Sequence, residues 1–232
     1  MKKTLFTTLI LFITSGVYAQ HIQTHYDFGK DRQMLTTTLE MFKADAYGSS
    51  FFFVDFEYGS KTSNVDGVSL AYMEIARELK FWDPPVAIRA EYDGGLFRTS
   101  EFSAPINSAY LLGGSYTFSN STFSKMLNLQ AMYKYIEDKH DASFQITAVW
   151  ALHFFDRKLS FNGFADFWRE DNVVFDNNGN ASSTNFVFLT EPQLWYNFTK
   201  HFSAGSEIEI SSNFSANKGF KVNPTLGLKW FF

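Results

Sequence analysis

The chain has 232 residues, with 20 lysines and arginines, 24 aspartates and glutamates, and no cysteine. The small acidic excess argues against a nucleic-acid-binding protein, because such a protein needs a basic surface to meet the phosphates. The lack of cysteine excludes a disulfide-stapled fold, a thiolate zinc site and a cysteine nucleophile.

The first nineteen residues have the pattern of a secretory signal peptide. Lys2 and Lys3 form its positive end, residues 5–13 are mostly apolar, and Val17-Tyr18-Ala19 has the small-x-small spacing of a cleavage site. We therefore expect residues 1–19 to be a signal peptide and residues 20–232 to be one exported domain.

The composition is rich in aromatic rings without being hydrophobic in bulk. Phenylalanine occurs 28 times and aromatic residues make up 19 % of the chain, yet the mean hydropathy is −0.16. After the leader, no apolar run approaches the ~20 residues that a membrane helix needs. An exported chain of this kind is typical of a transmembrane β-barrel, in which apolar and polar residues alternate and aromatic residues girdle both interfaces.

Alternation with a period of two recurs along the whole chain. In the last segment, Leu226, Leu228 and Trp230 share one face and Lys229 lies on the other, as in a strand between lipid and a wet lumen. The same pattern predicts strands at 22–28, 35–42, 52–58, 71–76, 86–93, 110–118, 127–135, 144–154, 159–168, 186–196, 202–210 and 225–232. The tenth of these is less regular and contains Pro192. We therefore expect an all-β protein, a single antiparallel barrel of twelve strands; a soluble β-sandwich is the alternative.

The connections predict the orientation of the barrel. An even number of strands places both termini on the periplasmic side, with short turns there and longer loops outside the cell. Three long polar segments, 60–66, 94–105 and 171–184, fall in the outer set. We expect them to be loops, and an inward fold of residues 94–105 would close the lumen.

The inner face of the predicted barrel is acidic. Its basic residues are Arg89, Lys134 and Lys229. Its rings are Phe42, Phe53, Tyr72, Phe164 and Trp168. Its carboxylates are Asp27, Glu40, Asp55, Glu57, Glu74, Glu91, Asp93, Asp166, Glu191, Glu207 and Glu209. Three cations are too few for these acids, and unpaired charges need water, so we expect a solvated lumen that suits neutral or cationic solutes with a flat ring. The alternative is that the charges only brace the barrel interior.

Catalytic and metal-binding patterns are weak. His153, Ser160 and Asn162 are the residue types of an outer-membrane serine hydrolase. However, the alternation points all three inward near the periplasmic end, which is the wrong place for attack on outer-leaflet lipid. The five histidines show no metal-ligand spacing. We therefore expect no enzyme activity, no metal and no cofactor.

Four segments carry a family resemblance. Residues 38–44 and 51–56 form an aromatic-rich strand pair, Tyr72-Met73-Glu74-Ile75 follows, and residues 159–167 contain three Phe and one Asp. Together they resemble the nucleoside-specific channel-forming (Tsx-like) outer-membrane porins. The resemblance implies a monomeric twelve-stranded barrel in the outer membrane of a Gram-negative bacterium, with outer-membrane lipid and a nucleoside-like solute as partners and no nucleic acid.

The chain departs from that family in length and at Ala76-Arg77, where the resemblance leads us to expect Glu-Pro-Arg. It is therefore interpreted as a divergent member. The resemblance implies that phenylalanines stack on the solute and that carboxylates bond its sugar hydroxyls. The positions within the matched segments are Glu40, Phe42, Phe53, Asp55, Glu74, Phe164 and Asp166. Two alternatives stay open: a structural or interaction barrel with a plugged lumen and functional outer loops, and, less favoured, an outer-membrane hydrolase.

Overall fold

The strands form one antiparallel sheet that closes on itself, because the first strand pairs with the last. The computed structural model describes residues 18–30, 32–59, 63–83, 85–139 and 141–232. The strands are β1 (Tyr18–Asp27), β2 (Leu35–Asp45), β3 (Gly48–Tyr58), β4 (Val68–Leu79), β5 (Val86–Arg98), β6 (Ser103–Ser119), β7 (Lys125–Ile136), β8 (Ser143–Phe154), β9 (Leu159–Phe175), β10 (Ala181–Thr190), β11 (Gln193–Asn197), β12 (Phe202–Ser212) and β13 (Phe220–Phe231). Within the described ranges, no helix is long and apolar enough to cross a membrane.

Two of these strands share one place in the barrel. β10 and β11 both pair with β9 on one side and with β12 on the other, so they lie end to end. The break falls at Glu191 and Pro192, and proline has no amide hydrogen to give to a ladder. Opposite the break, Gly163 has a φ of +154°, and a Cβ there would lie 2.4 Å from the carbonyl oxygen of Glu191. The barrel therefore has twelve strand positions, and the predicted fold class is confirmed.

Alternating burial along β7 shows how the sequence sets the two faces. Leu127, Leu129 and Tyr135 point outward and are exposed, whereas Gln130 and Lys134 point inward and are buried. Apolar side chains outside and polar side chains inside are the arrangement that a barrel in lipid requires. The alternation therefore follows from the sequence.

Two of the three predicted loops are mostly strand. β5 continues to Arg98 and β6 begins at Ser103, while β9 continues to Phe175 and β10 begins at Ala181. The expectation that residues 94–105 form a loop is wrong for most of the segment, because they form a β-hairpin with a register shift between Asp93 and Gly95. The ends of these hairpins retain apolar positions such as Leu96, Val173 and Phe175, but polar and turn-forming residues outnumber these, and the sequence pattern therefore predicted loops. The third predicted loop lies between β3 and β4, and its residues 60–62 fall outside the described residues.

The connections define two ends of the barrel. The C-terminal rim contains the connecting segments 46–47, 80–85, 120–124, 155–158 and 198–201. The opposite rim contains the connecting segments 28–34, 59–67, 99–102, 137–142, 176–180 and 213–219. The predicted signal peptide, residues 1–19, lies almost wholly outside the described residues and stays a prediction; β1 begins at Tyr18.

Candidate functional site

Three neighbouring strands bring several of the predicted solute-path residues together on the inner wall. Glu40 of β2 lies opposite Phe53 of β3, which in turn lies opposite Glu74 of β4. Asp55 lies two residues along the same face of β3. Phe42 shares this face nearer the C-terminal rim and is more exposed, at 39 %.

Aromatic rings and hydroxyls support this patch. The Phe53 ring lies 6.0 Å from the Tyr72 ring, and the Tyr72 hydroxyl donates a hydrogen bond of 2.9 Å to Oε1 of Glu74. Phe51 extends the aromatic surface, because its ring lies 6.0 Å from that of Phe53. A ring face beside a carboxylate can stack on a flat solute and accept a hydrogen bond from it.

The last two predicted residues, Phe164 and Asp166, lie on the inner face of β9. The Thr147 hydroxyl donates to Oδ1 of Asp166 over 2.5 Å. Asp166 is near enough to Glu74 for the two carboxylates to repel each other. The barrel therefore brings the β4 and β9 acids toward each other. Their role in a solute path stays a prediction.

The wall formed by β5 to β8 is braced by charge pairs. Arg89 binds Glu91, with its Nε 2.8 Å from Oε2, and approaches Glu78 at 3.6 Å. Lys134 donates to Gln145 over 2.7 Å and lies 3.8 Å from Asp93. These pairs neutralise buried acids, as the low polarity of a packed wall demands.

One acidic group on this wall has the spacing of a metal site. Glu74, Glu91 and Asp93 each place one carboxylate oxygen within 4.8 Å of the others. However, Arg89 already binds Glu91 and Lys134 lies beside Asp93. Glu91 and Asp93 are therefore part of the braced network, whereas Glu74 accepts a hydrogen bond from the Tyr72 hydroxyl.

A cation that the sequence pattern missed lies at the opposite rim. Arg32, in the segment between β1 and β2, reaches Asp27 at 2.6 Å, Glu57 at 3.2 Å and Glu209 at 2.8 Å. Burial alone would lower the pKa of Arg32, but these carboxylates raise it above its ordinary value, so the guanidinium stays charged. The inner wall therefore has at least four basic side chains, and the predicted count of three was wrong.

A second cluster missed by the sequence surrounds Lys229. Its Nζ lies 4.1 Å from the centroid of the Trp195 ring, and that ring meets the His25 ring edge-on at 5.4 Å. Nε2 of His25 and Nε2 of His21 are buried without a hydrogen-bond partner. The alternation placed His25 and Lys229 inward, but it assigned no face to Trp195 and could not show that the barrel brings this ring close to Lys229.

Several inner carboxylates have no cation of their own. Among the described residues, no lysine or arginine nitrogen lies within 4.0 Å of a carboxylate oxygen of Asp55, Glu74, Glu191 or Glu207. Oδ1 of Asp55 is also buried without a hydrogen bond. Such groups need water or a mobile cation near them.

The predicted hydrolase residues form only part of a catalytic arrangement. Nδ1 of His153 lies 2.9 Å from Oγ of Ser160. Asn162 does not join this pair, because its side chain donates to Gln193. Asn197 contacts Ser160 instead, over 3.0 Å, and donates to the serine oxygen. In a triad the third residue orients the histidine, so the predicted set His153, Ser160 and Asn162 is wrong as a triad.

Comparisons with known proteins place the fold among porins. The NanC porin structure superposes with a TM-score of 0.59 at 11 % identity, covering 91 % of this chain and 99 % of that chain. The KdgM porin superposes with a TM-score of 0.50 at 12 % identity, covering 92 % of this chain and 99 % of that chain. The KdgM porin in complex with disordered oligogalacturonate gives the same values. No curated protein is significantly similar in sequence. A family model described as a domain of unknown function, DUF5020, matches residues 19–232, so the chain belongs to the DUF5020 family.

Proposed function

We propose that this protein is an outer-membrane channel through which small solutes diffuse. The observation that carries the proposal is the inner wall, where Asp55, Glu74, Glu191 and Glu207 have no basic partner among the described residues. A barrel with only a mechanical role has no use for acids that must stay hydrated. The apolar outer surface and the fold shared with porins support the outer-membrane location.

The solute we propose is flat and uncharged, of nucleoside type. Phe53 and Phe164 would stack on its ring, and Asp55, Glu74 and Asp166 would accept hydrogen bonds from its hydroxyls. Weak contacts suit this role, because a channel site must release its solute. The KdgM porin has been solved with oligogalacturonate. An acidic inner wall would repel such a polyanion, so we do not propose that solute for this protein on the basis of the shared fold.

Planar-bilayer recording of the purified protein tests the proposal. We expect current steps that nucleosides block, with weaker block in Phe53→Ala and Phe164→Ala, because each stacked base contributes ~1–3 kcal/mol. Phe167→Ala is the matched control, since Phe167 lies on the same strand as Phe164 but points outward and is 38 % exposed. If nucleosides leave the current of the unmutated protein unchanged, the proposed solute is wrong, but the proposal that the protein is a channel still stands.

One observation favours the second candidate, a barrel with a plugged lumen that acts through its outer segments. Arg32 and its carboxylates lie across the opposite rim, and the Arg89 and Lys134 networks fill one wall. A barrel closed in this way would show no conductance under any ionic condition. The same recording therefore separates the two candidates.

A further inference from the structure

One row of paired residues across the inner wall consists of two rings with two glycines between them. Trp195 of β11 pairs with Gly205 of β12. Gly205 in turn pairs with Gly227 of β13, which pairs with His25 of β1. Paired residues point to the same face of a sheet, and Trp195 and His25 point into the barrel, where they are 1 % and 3 % exposed. The two rings meet edge-on across the glycines, with their centroids 5.4 Å apart.

The glycines give both rings room to lie against the wall. A Cβ at residue 227 would lie 2.8 Å from Nδ1 and 2.9 Å from Cε1 of His25. A Cβ at residue 205 would lie 2.6 Å from the Trp195 ring and would also overlap the carbonyl oxygen of Leu194. Glycine inside a strand often marks such a close approach. A side chain at residue 227 would therefore push the His25 ring off the wall and into the lumen, because only ring atoms stand in its way.

Contacts with other side chains hold the two rings in place. Nδ1 of His25 lies 2.8 Å from Oγ1 of Thr225, and Nε1 of Trp195 donates to Oε1 of Gln193 over 2.8 Å. Nζ of Lys229 lies 4.1 Å from the centroid of the Trp195 ring and donates to the same Gln193 oxygen over 3.3 Å. The rings are therefore fixed parts of the wall and do not swing aside for a solute.

The inner wall is more open along the neighbouring strands. Phe53, Asp55 and Glu74 on β3 and β4 are only half-buried. The proposed solute path therefore runs along these strands, and the rings of Trp195 and His25 bound it on the side formed by β11 to β1. Any displacement of these rings from the wall narrows the path.

We propose that Trp195 and His25 limit the width of the solutes that pass, and that Gly205 and Gly227 keep the two rings out of the path. This inference rests on the proposed channel function and names the residues that select its solutes by size. A wide path needs both rings against the wall, and the wall allows this only where it has no side chain of its own.

Liposome swelling with the purified protein tests the size limit, with glucose and sucrose as solutes. Gly227→Ala should lower the ratio of the sucrose entry rate to the glucose entry rate, because its Cβ drives the His25 ring into the path. The double variant Gly227→Ala/His25→Ala should restore the ratio, since it keeps the added Cβ and removes the ring. Gly114→Ala is the matched control. It adds the same methyl group within β6, where the nearest non-neighbouring atom, the carbonyl oxygen of Ala87, is 3.6 Å away.

His25→Ala is the second variant if Gly227→Ala does not fold. It removes the ring without adding an atom, so the ratio of sucrose entry to glucose entry should rise above that of the unmutated protein. The gel mobility of the folded barrel shows which variants have folded before their rates are compared.

The outcomes separate the size limit from the channel function. If glucose enters through every protein and the ratio is the same in all of them, the two rings do not limit the solutes and the channel function stands. A lower ratio in Gly227→Ala that His25→Ala does not reverse would also contradict the role of the ring. If glucose enters through none of these proteins, the channel function fails and the size limit fails with it.

Discussion

The two faces of β3 give the sharpest test of the barrel register. Val54 points outward and Phe53 inward, and both lie at the middle of this strand of 11 residues. Val54→Arg places a charge in lipid, at a cost of ~2–4 kcal/mol near the bilayer midplane. Phe53→Arg places the same charge between Glu40 and Glu74. There it loses two ring contacts, with Tyr72 and Phe51, each of a type that contributes ~0.5–1.5 kcal/mol, and gains two carboxylates.

The assay is urea unfolding of the two variants in lipid vesicles, followed by the gel mobility of the folded barrel. We expect the outward variant to lose more free energy of unfolding than the inward variant, because the two carboxylates offset part of the ring contacts that Phe53→Arg loses. The variants differ by one position, so position along the strand and charge are matched. Equal losses, or a larger loss for Phe53→Arg, would refute the register, because a slip of one residue exchanges the two faces.

Three further predictions concern orientation and the solute path. Cysteines at Ser100 and Asn178 should label from outside intact cells and one at Ala46 should not; labelling of Ala46 alone would reverse the predicted orientation. Phe53→Ala should weaken nucleoside block about fivefold or more, from the ~1 kcal/mol minimum of a stacked base, as measured by titrating the current. Asp55→Asn should lower cation selectivity, because it removes a fixed charge from the lumen, and the reversal potential in a salt gradient measures this; an unchanged potential would place Asp55 away from the ion path.

The strand count and the two faces of the strands could be predicted, because lipid requires apolar residues at every second position within each strand. In β7, the outward residues from Leu127 to Tyr135 are apolar or aromatic, whereas Asn128, Gln130 and Lys134 face inward, so the period of two is visible within one strand. The irregular tenth segment was also predicted, since Pro192 interrupts any ladder, and the structure divides it into β10 and β11.

The contacts across the lumen could not be predicted, because they depend on closure of the barrel. Arg32 lies outside any strand, so alternation assigns it no face, yet it binds Glu209, which is 177 residues away. In the same way, Lys229 meets Trp195 only because β13 and β11 both flank β12. The hairpins that extend β5 and β9 were missed for a different reason: apolar positions such as Leu96, Val173 and Phe175 are few there, and the polar and turn-forming residues between them indicated loops.

The central claim is that the barrel encloses a hydrated, acidic path. The most direct test is the current of the purified, unmutated protein in a planar bilayer, with the reversal potential measured in a potassium chloride gradient. We predict discrete steps with preference for the cation, because the carboxylates of the inner wall outnumber its basic side chains. A protein that is folded and inserted but passes no current, or that prefers chloride, would contradict the account.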